Sequence, residues 1–210
     1  KYYEIDKNHE ALRLIKMYLN FMKFAQRTNG NFANIIGANK TRDKTREEDT
    51  QGRAIWALGF IASRDYLSKE IVALANSMFQ KIIKSVSILK SPRAVSFAII
   101  GLYYYLKFAP QKKLKTIFKK FANQQLDLYR NNASGDWQWF EDQLTYSNSK
   151  LSESLFYAYD LTKNKKYLAV AQKSLNFLKQ ITFGKKHYSP IGQAGWYFRN
   201  KERSYFDHQP

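Results

Sequence analysis

The feature that most constrains the fold of this chain is a helical repeat of apolar residues, which recurs in successive segments without any sustained strand-like alternation. In residues 9–28, for example, apolar side chains recur three or four positions apart, and a helix places such positions on one face. The same period predicts seven helices, in residues 9–28, 53–63, 71–82, a segment opened by Ser91-Pro92, 111–129, 151–162 and 165–182. The sequence therefore predicts an all-α fold.

Polar residues and a proline indicate where several of these helices begin. Thr50 and Ser68 precede apolar periodic runs, and a hydroxyl at that position can accept a hydrogen bond from a free N–H of the first turn. Proline at residue 92 suits a first helical turn, where its missing N–H is not needed. Residues 31–48 form a long polar connection, and ordered connections of that length are commonly functional.

Composition limits the class of protein and its surroundings. A chain of 210 residues with 44% hydrophobic and 25% charged residues fits one large globular domain. The longest apolar run, residues 97–106, is too short to span a bilayer, so we expect no membrane partner. Cysteine is absent, which excludes disulfides and thiolate metal ligands and favours a reducing, cytoplasmic location. Because the chain begins with Lys1, a native N-terminus with a targeting peptide could precede it.

The formal charge of +18 suggests anionic partners, among them nucleic acids. In residues 111–130, however, Lys112, Lys115, Lys119 and Lys120 fall on one helical face, with apolar residues on the other, which is how a solvated outer helix looks. No helix-turn-helix, zinc-finger or ribonucleoprotein motif accompanies the charge. We therefore expect no specific nucleic-acid partner.

Residues 135–150 concentrate aromatic, acidic and small polar side chains between two predicted helices. Trp137, Trp139 and Phe140 are costly to leave in water, and Glu141 and Asp142 are costly to bury unpaired. A sugar offers both an apolar ring face and a rim of hydroxyls, so this pattern favours a carbohydrate ligand. The alternative is that both tryptophans fill the core beneath the segment.

Four segments together resemble a family of bacterial (α/α)6, or six-hairpin, toroid domains associated with glycosyltransferases and mannoside-processing enzymes. The resemblance lies in residues 48–59, 136–148, 190–197 and 206–210. It implies an all-α toroid of helical hairpins whose loops form a glycan pocket at one end. A closed ring needs twelve helices, so residues 1–210 are expected to be a single toroid domain that is a fragment of a larger domain or protein.

The resemblance also implies site residues. Glycoside cleavage needs two carboxylates on opposite sides of the scissile bond, so Glu141 is expected to face Asp49 or Asp207 rather than its neighbour Asp142. Asp49 could instead cap a helix and pair with Arg53. The expected substrate-binding residues are Trp137, Trp139, Tyr146, Asn148, Arg53, Trp56, Gln193, Trp196 and His208. The chain departs from the family at Ser147, where an acidic residue is usual, and at His208, where glutamine is usual.

The remaining motifs exclude other chemistry. The three histidines, His9, His187 and His208, are too scattered to predict a metal site. Neither a P-loop nor a GxGxxG motif occurs, so we expect no cofactor and no Rossmann-type transferase domain in these residues. Two hypotheses remain: an enzyme domain that acts on a mannoside-like glycan through carboxylates, or a non-catalytic glycan-binding or scaffolding domain that is fused to or in complex with a glycosyltransferase.

Overall fold

The helices predicted from the sequence are present in the structure, a computed structural model that describes residues 2–184 and 187–206 apart from the side chain of Ser87. Within those ranges the chain forms eight α-helices and one pair of very short strands, which confirms the all-α class. The helices are α1 (Tyr2–Asp6), α2 (His9–Ala25), α3 (Glu48–Ala62), α4 (Lys69–Ile82), α5 (Pro92–Phe108), α6 (Lys112–Asn132), α7 (Ser149–Thr162) and α8 (Lys165–Thr182). A 3₁₀ helix (Ile83–Ile88) follows α4, and the strands are β1 (Gln143–Leu144) and β2 (Tyr197–Phe198).

The predicted helix starts are partly right. Pro92 opens α5 and Ser68 occupies the N-cap position of α4, as expected, although the Ser68 side chain makes no capping hydrogen bond. The prediction that Thr50 caps α3 was wrong, because Glu47 holds that position and Thr50 lies inside the helix. The Thr50 hydroxyl instead donates to the side-chain oxygen of Asn34, 2.5 Å away. The short α1 and the 3₁₀ helix were not predicted.

The chain divides into two compact units, the first of which is Lys1–Ile117. In this unit α3 packs against both α4 and α5, and α2 packs against α4. Small residues allow α3 and α5 to approach closely: a Cβ atom built on Gly52 would lie 2.5 Å from the carbonyl oxygen of Ala94. The small-residue-rich starts of these two helices therefore mark a helix–helix contact.

The connection between α2 and α3 is tied down at two points. The buried Gln51 side chain pairs with the backbone of Phe32, accepting from its N–H at 2.8 Å and donating to its carbonyl at 3.0 Å. Further along, the Asp43 carboxylate accepts from the Arg27 guanidinium at 3.0 Å and from the backbone N–H of Asn34 at 3.0 Å. This long connection is held in a defined conformation by its own polar contacts.

The second unit is Phe118–Pro210. Its helices α7 and α8 pack together, with the hydroxyls of Ser152 and Ser174 at 2.8 Å in the buried interface. The strands β1 and β2 form an antiparallel pair of two residues each. Two residues are too few to show strand alternation in a sequence, so this pairing was not predicted.

The lysine-rich helix α6 has the predicted two faces. Lys112, Lys115 and Lys119 are exposed, whereas Leu114 and Phe118 are buried. None of the helices in the described part of the chain combines the length and the apolarity needed to cross a membrane. The closed ring and the single-domain organisation expected from the family resemblance stay predictions.

Candidate functional site

The pairing of β1 with β2 brings two distant loops together in the second unit. Gln143 lies opposite Phe198 and Leu144 opposite Tyr197. In an antiparallel pair, the residues that follow β1 run beside those that precede β2. The segment of residues 145–149, whose last residue begins α7, therefore lies next to the loop at residues 193–196, and both contain residues that were expected to bind a glycan.

A cleft of about 360 Å³ opens between these loops. One side carries the hydroxyl and amide groups of residues 145–149, and the other is formed by residues 188–196. The C-terminal part of α8, through Leu178 and Thr182, also lines it. Four of the expected substrate-binding residues line this one cleft: Tyr146, Asn148, Gln193 and Trp196.

Tyr146 and Trp196 form an aromatic pair in the cleft. Their ring centroids are 6.5 Å apart with planes inclined by 48°, and Tyr146 is 44% exposed. Trp196 has φ +55°, a left-handed conformation that is unfavourable for a bulky side chain, and Ser147 on the facing loop has φ +49°. Strained backbone of this kind concentrates at functional sites, where the surrounding structure maintains it.

Asn148 holds the loop that carries Tyr146. Its side-chain oxygen accepts from the backbone N–H of Thr145 at 3.0 Å, and its amide donates to the Thr145 carbonyl at 2.7 Å. Both polar ends of Asn148 therefore contact the backbone of the same residue. Its role in the described structure is to shape the turn from Thr145 to Ser149, and the expected direct contact with ligand stays a prediction.

Arg203 supports the opposite wall and was missed by the sequence analysis. Its guanidinium donates to the carbonyl oxygens of Ser189 and Pro190 at 2.9 and 2.8 Å, and also to that of Ile181 at the end of α8. Glycine at residue 192 lets the chain fold tightly, because a Cβ atom there would lie 2.4 Å from the backbone of Phe206. A single arginine in an irregular segment carries no pattern from which this contact could have been predicted.

The two tryptophans of the 135–150 segment lie in the core, and the expectation that they stack on a sugar is corrected. Trp139 is 0% exposed and Trp137 only 6% exposed. The Trp137 indole donates to the Glu141 carbonyl at 2.7 Å and packs edge-on against Phe177 at 5.1 Å. Neither ring presents a free face, because burial of the large apolar rings outweighs their possible use on the surface.

The expected carboxylates do not meet in this cleft. No aspartate or glutamate occurs among the described residues that line it. Glu141 is partly buried outside the lining, and Asp49 belongs to the first unit, where its carboxylate is 3.9 Å from the Arg53 guanidinium. Asp207 and His208 lie outside the described residues. The acid–base roles of Glu141, Asp49 and Asp207 stay predictions.

Arg53 and Trp56 also lie in the first unit and line a different cleft. Across residues 2–184 and 187–206, no group of three or more His, Asp or Glu side chains is arranged so that it could hold a metal ion.

Neither models of protein families nor the sequences of curated proteins match this chain.

Proposed function

We propose that this chain binds a glycan of the mannoside type in the cleft between residues 145–149 and 188–196. The observation that carries this proposal is the Tyr146–Trp196 pair, whose ring centroids lie 6.5 Å apart in a cleft that hydroxyl, amide and aliphatic side chains also line. Aromatic rings can pack on the C–H face of a pyranose while hydroxyls and amides bond its rim. The volume of about 360 Å³ is at the lower end of the range for small-molecule sites, which suits a short glycan segment.

The backbone of the cleft favours a preformed site. Trp196 has a left-handed φ of +55°, and the Asn148 side chain makes two hydrogen bonds to the backbone of Thr145. The backbone that carries the Tyr146 and Trp196 side chains is therefore constrained. A constrained site loses less conformational entropy when it binds a ligand. This rigidity supports a binding role for the loops.

Between the two hypotheses, binding is better supported than hydrolysis. Hydrolysis requires two carboxylates on opposite sides of the bond, and the described lining of the cleft contains none. A non-catalytic domain needs only the aromatic and amide groups. Fusion to or complex formation with a glycosyltransferase domain, which the family resemblance implies, completes the proposal, because such a domain would hold the glycan while its partner acts.

Calorimetry with manno-oligosaccharides tests this proposal. We expect saturable binding to the wild-type chain, and we expect Trp196→Ala and Tyr146→Ala each to weaken it roughly tenfold, about 1.4 kcal/mol, since each removes one stacking surface. The matched control is Tyr18→Ala on α2, a tyrosine that is 60% exposed in the first unit. This control should bind as the wild type does.

Two results would count against the proposal. One is the absence of binding by a folded wild-type chain, and the other is unchanged binding by both cleft variants with intact circular dichroism. Release of reducing sugar that is lost in Glu141→Gln would instead favour the enzyme hypothesis, because that carboxylate is the expected acid.

A further inference from the structure

The first unit contains a second cleft, of about 370 Å³, between α2 and α3. One wall is a stripe on α3 made of Arg53, Trp56, Ala57, Phe60 and Ile61, which recur at the three- and four-residue spacing of one helical face. Ile15 of α2 forms the facing wall. The remaining lining residues are Tyr3, Tyr66 and Leu67. Apart from two phenolic hydroxyls, an indole N–H and one guanidinium, the described lining is hydrocarbon.

Packing onto α5 holds the aromatic walls of this cleft in place. The Trp56 ring stacks on Phe97 of α5 with centroids 5.6 Å apart and planes inclined by only 6°. Phe60 meets Tyr104 of the same helix edge-on at 5.0 Å. Because these rings are fixed by their neighbours, the cleft exists without a ligand, as is usual for small-molecule sites.

Arg53 supplies the only charge in the described lining. Its guanidinium lies 4.4 Å from the centroid of the Phe97 ring, and its side chain is 51% exposed. The Asp49 carboxylate is 3.9 Å from this guanidinium, the far limit of an ion pair. A guanidinium held by stacking beside an apolar cleft can still bind a second carboxylate through its planar donors.

A further cation lies near one end of the cleft. The Lys7 ammonium is 4.4 Å from the ring centroid of Tyr66 and 5.4 Å from that of Tyr3. The Glu4 carboxylate interacts with Tyr66 at the same end of the cleft. Burial is the main cause that raises the pKa of the Tyr66 phenol, and the Glu4 carboxylate raises it further. The Glu4 carboxylate offsets the lysine. A second cation at that end, the Arg64 guanidinium, lies 4.2 Å from the Phe60 ring centroid and donates to the Phe60 carbonyl and the Ser63 hydroxyl. We therefore place the anion-binding group at Arg53.

We propose that this cleft binds a medium-chain aliphatic carboxylate, with the carboxylate at Arg53 and the chain along the α3 stripe toward Ile61. From residue 53 to residue 61 a helix rises about 12 Å, a length comparable with an extended acyl chain of that class. The hydrocarbon walls gain from burying such a chain, whereas a sugar would leave its hydroxyls without partners there. This site is separate from the glycan cleft and does not depend on the proposed glycan function.

Isothermal titration with decanoate, below its micellar range, tests the proposal. We expect one saturable site in the wild-type chain and at least a tenfold loss of affinity in Ala57→Phe, because the larger ring fills the cleft from the exposed position 57. Arg53→Gln should weaken decanoate binding roughly three- to tenfold, as expected for one partly exposed charged partner. Neutral decanol should bind wild type and Arg53→Gln equally.

Arg130→Gln is the matched control for charge. Arg130 is 53% exposed and pairs with Asp127 at 3.3 Å on α6, so it resembles Arg53 in exposure and pairing. Arg130→Gln and the glycan-cleft variant Trp196→Ala should both leave decanoate binding unchanged. The proposal is overturned if folded Ala57→Phe binds decanoate as the wild type does, if wild type shows no saturable binding, or if Arg53→Gln and Arg130→Gln have equal effects.

Discussion

Gly101 of α5 lies directly against the backbone of Ile55 in α3. A Cβ atom built on Gly101 would be 2.3 Å from the Ile55 carbonyl oxygen and 2.7 Å from the Cα atom of Trp56. Neither atom can move aside as the end of a flexible side chain could. The two helices of the first unit therefore cross at a distance that only glycine permits at this position.

Gly101→Ala should destabilise the chain by roughly 3 kcal/mol or more, because the added methyl group forces two packed helices apart. The control is Gly184→Ala, where the nearest atom to the added Cβ is the His187 carbonyl oxygen at an ordinary 3.7 Å. Denaturant unfolding of both variants measures the difference. Equal stability of the two would contradict the close crossing of α3 and α5.

Gln51→Leu should cost roughly 2–4 kcal/mol of unfolding free energy. The side chain of Gln51 is 1% exposed, and its removal would leave both the N–H and the carbonyl of buried Phe32 without their partner, at roughly 1–3 kcal/mol each. Gln172→Leu on the exposed face of α8 is the control and should change stability by no more than about 0.5 kcal/mol. If Gln51→Leu had almost no effect on the free energy of unfolding, the connection between α2 and α3 would be held by other contacts.

Lys163→Gly should raise the free energy of unfolding by roughly 0.5–1 kcal/mol. Lys163 follows α7 with φ +58°, a left-handed conformation that suits glycine. Its exposed contact with Asp160 at 2.8 Å contributes little that would be lost. The same substitution at exposed Lys173, inside α8, should lower stability by about 0.5–1 kcal/mol. Thermal or denaturant unfolding measures both variants. If the two substitutions changed the free energy of unfolding in the same direction, the backbone argument would be contradicted.

Asp43 should make the stability of the chain depend on acid pH. The Thr45 hydroxyl is the main cause that lowers the pKa of the Asp43 carboxyl, with backbone hydrogen bonds and Arg27 adding to it. A carboxyl whose pKa is lowered on folding stabilises the fold above its unfolded pKa of about 3.9, and that contribution is lost as pH falls through the folded value.

The measurement is denaturant unfolding between about pH 2.5 and 6 of the wild type, Asp43→Asn and Thr45→Val. Asp43→Asn should be less stable than wild type at pH 6 and should lose less stability on acidification, since it has no carboxylate to protonate. The loss of stability on acidification in Thr45→Val should lie between those of the wild type and Asp43→Asn, because this variant removes only the largest cause of the lowered pKa. If the free energy of unfolding changed with pH in the same way for all three chains, Asp43 would be excluded as a source of this dependence.

The sequence alone determined the all-α class and most of the helices. Helix α8 begins and ends where its apolar period predicts, and the lysines of α6 are exposed opposite Leu114 and Phe118. Proline at residue 92 marked the start of α5 correctly. These features depend on residues three or four positions apart, so the local sequence contains the information that decides them.

Tertiary structure decided which residues meet at the candidate site. Tyr146 and Trp196 lie 50 positions apart in the numbering of the chain, and they meet because two residues of β1 pair with two of β2. Pairing between segments so distant depends on the whole fold, and the sequence near either residue does not show it.

Tertiary structure also decided between the two roles of Trp137 and Trp139. The sequence left open whether they pack in the core or stack on a ligand, since the same large apolar ring suits either environment. Contacts with Phe177 of α8 and with Phe140 bury them. The physical reason is that the burial of a side chain depends on what the distant parts of the chain place around it, whereas its helical period depends only on its neighbours.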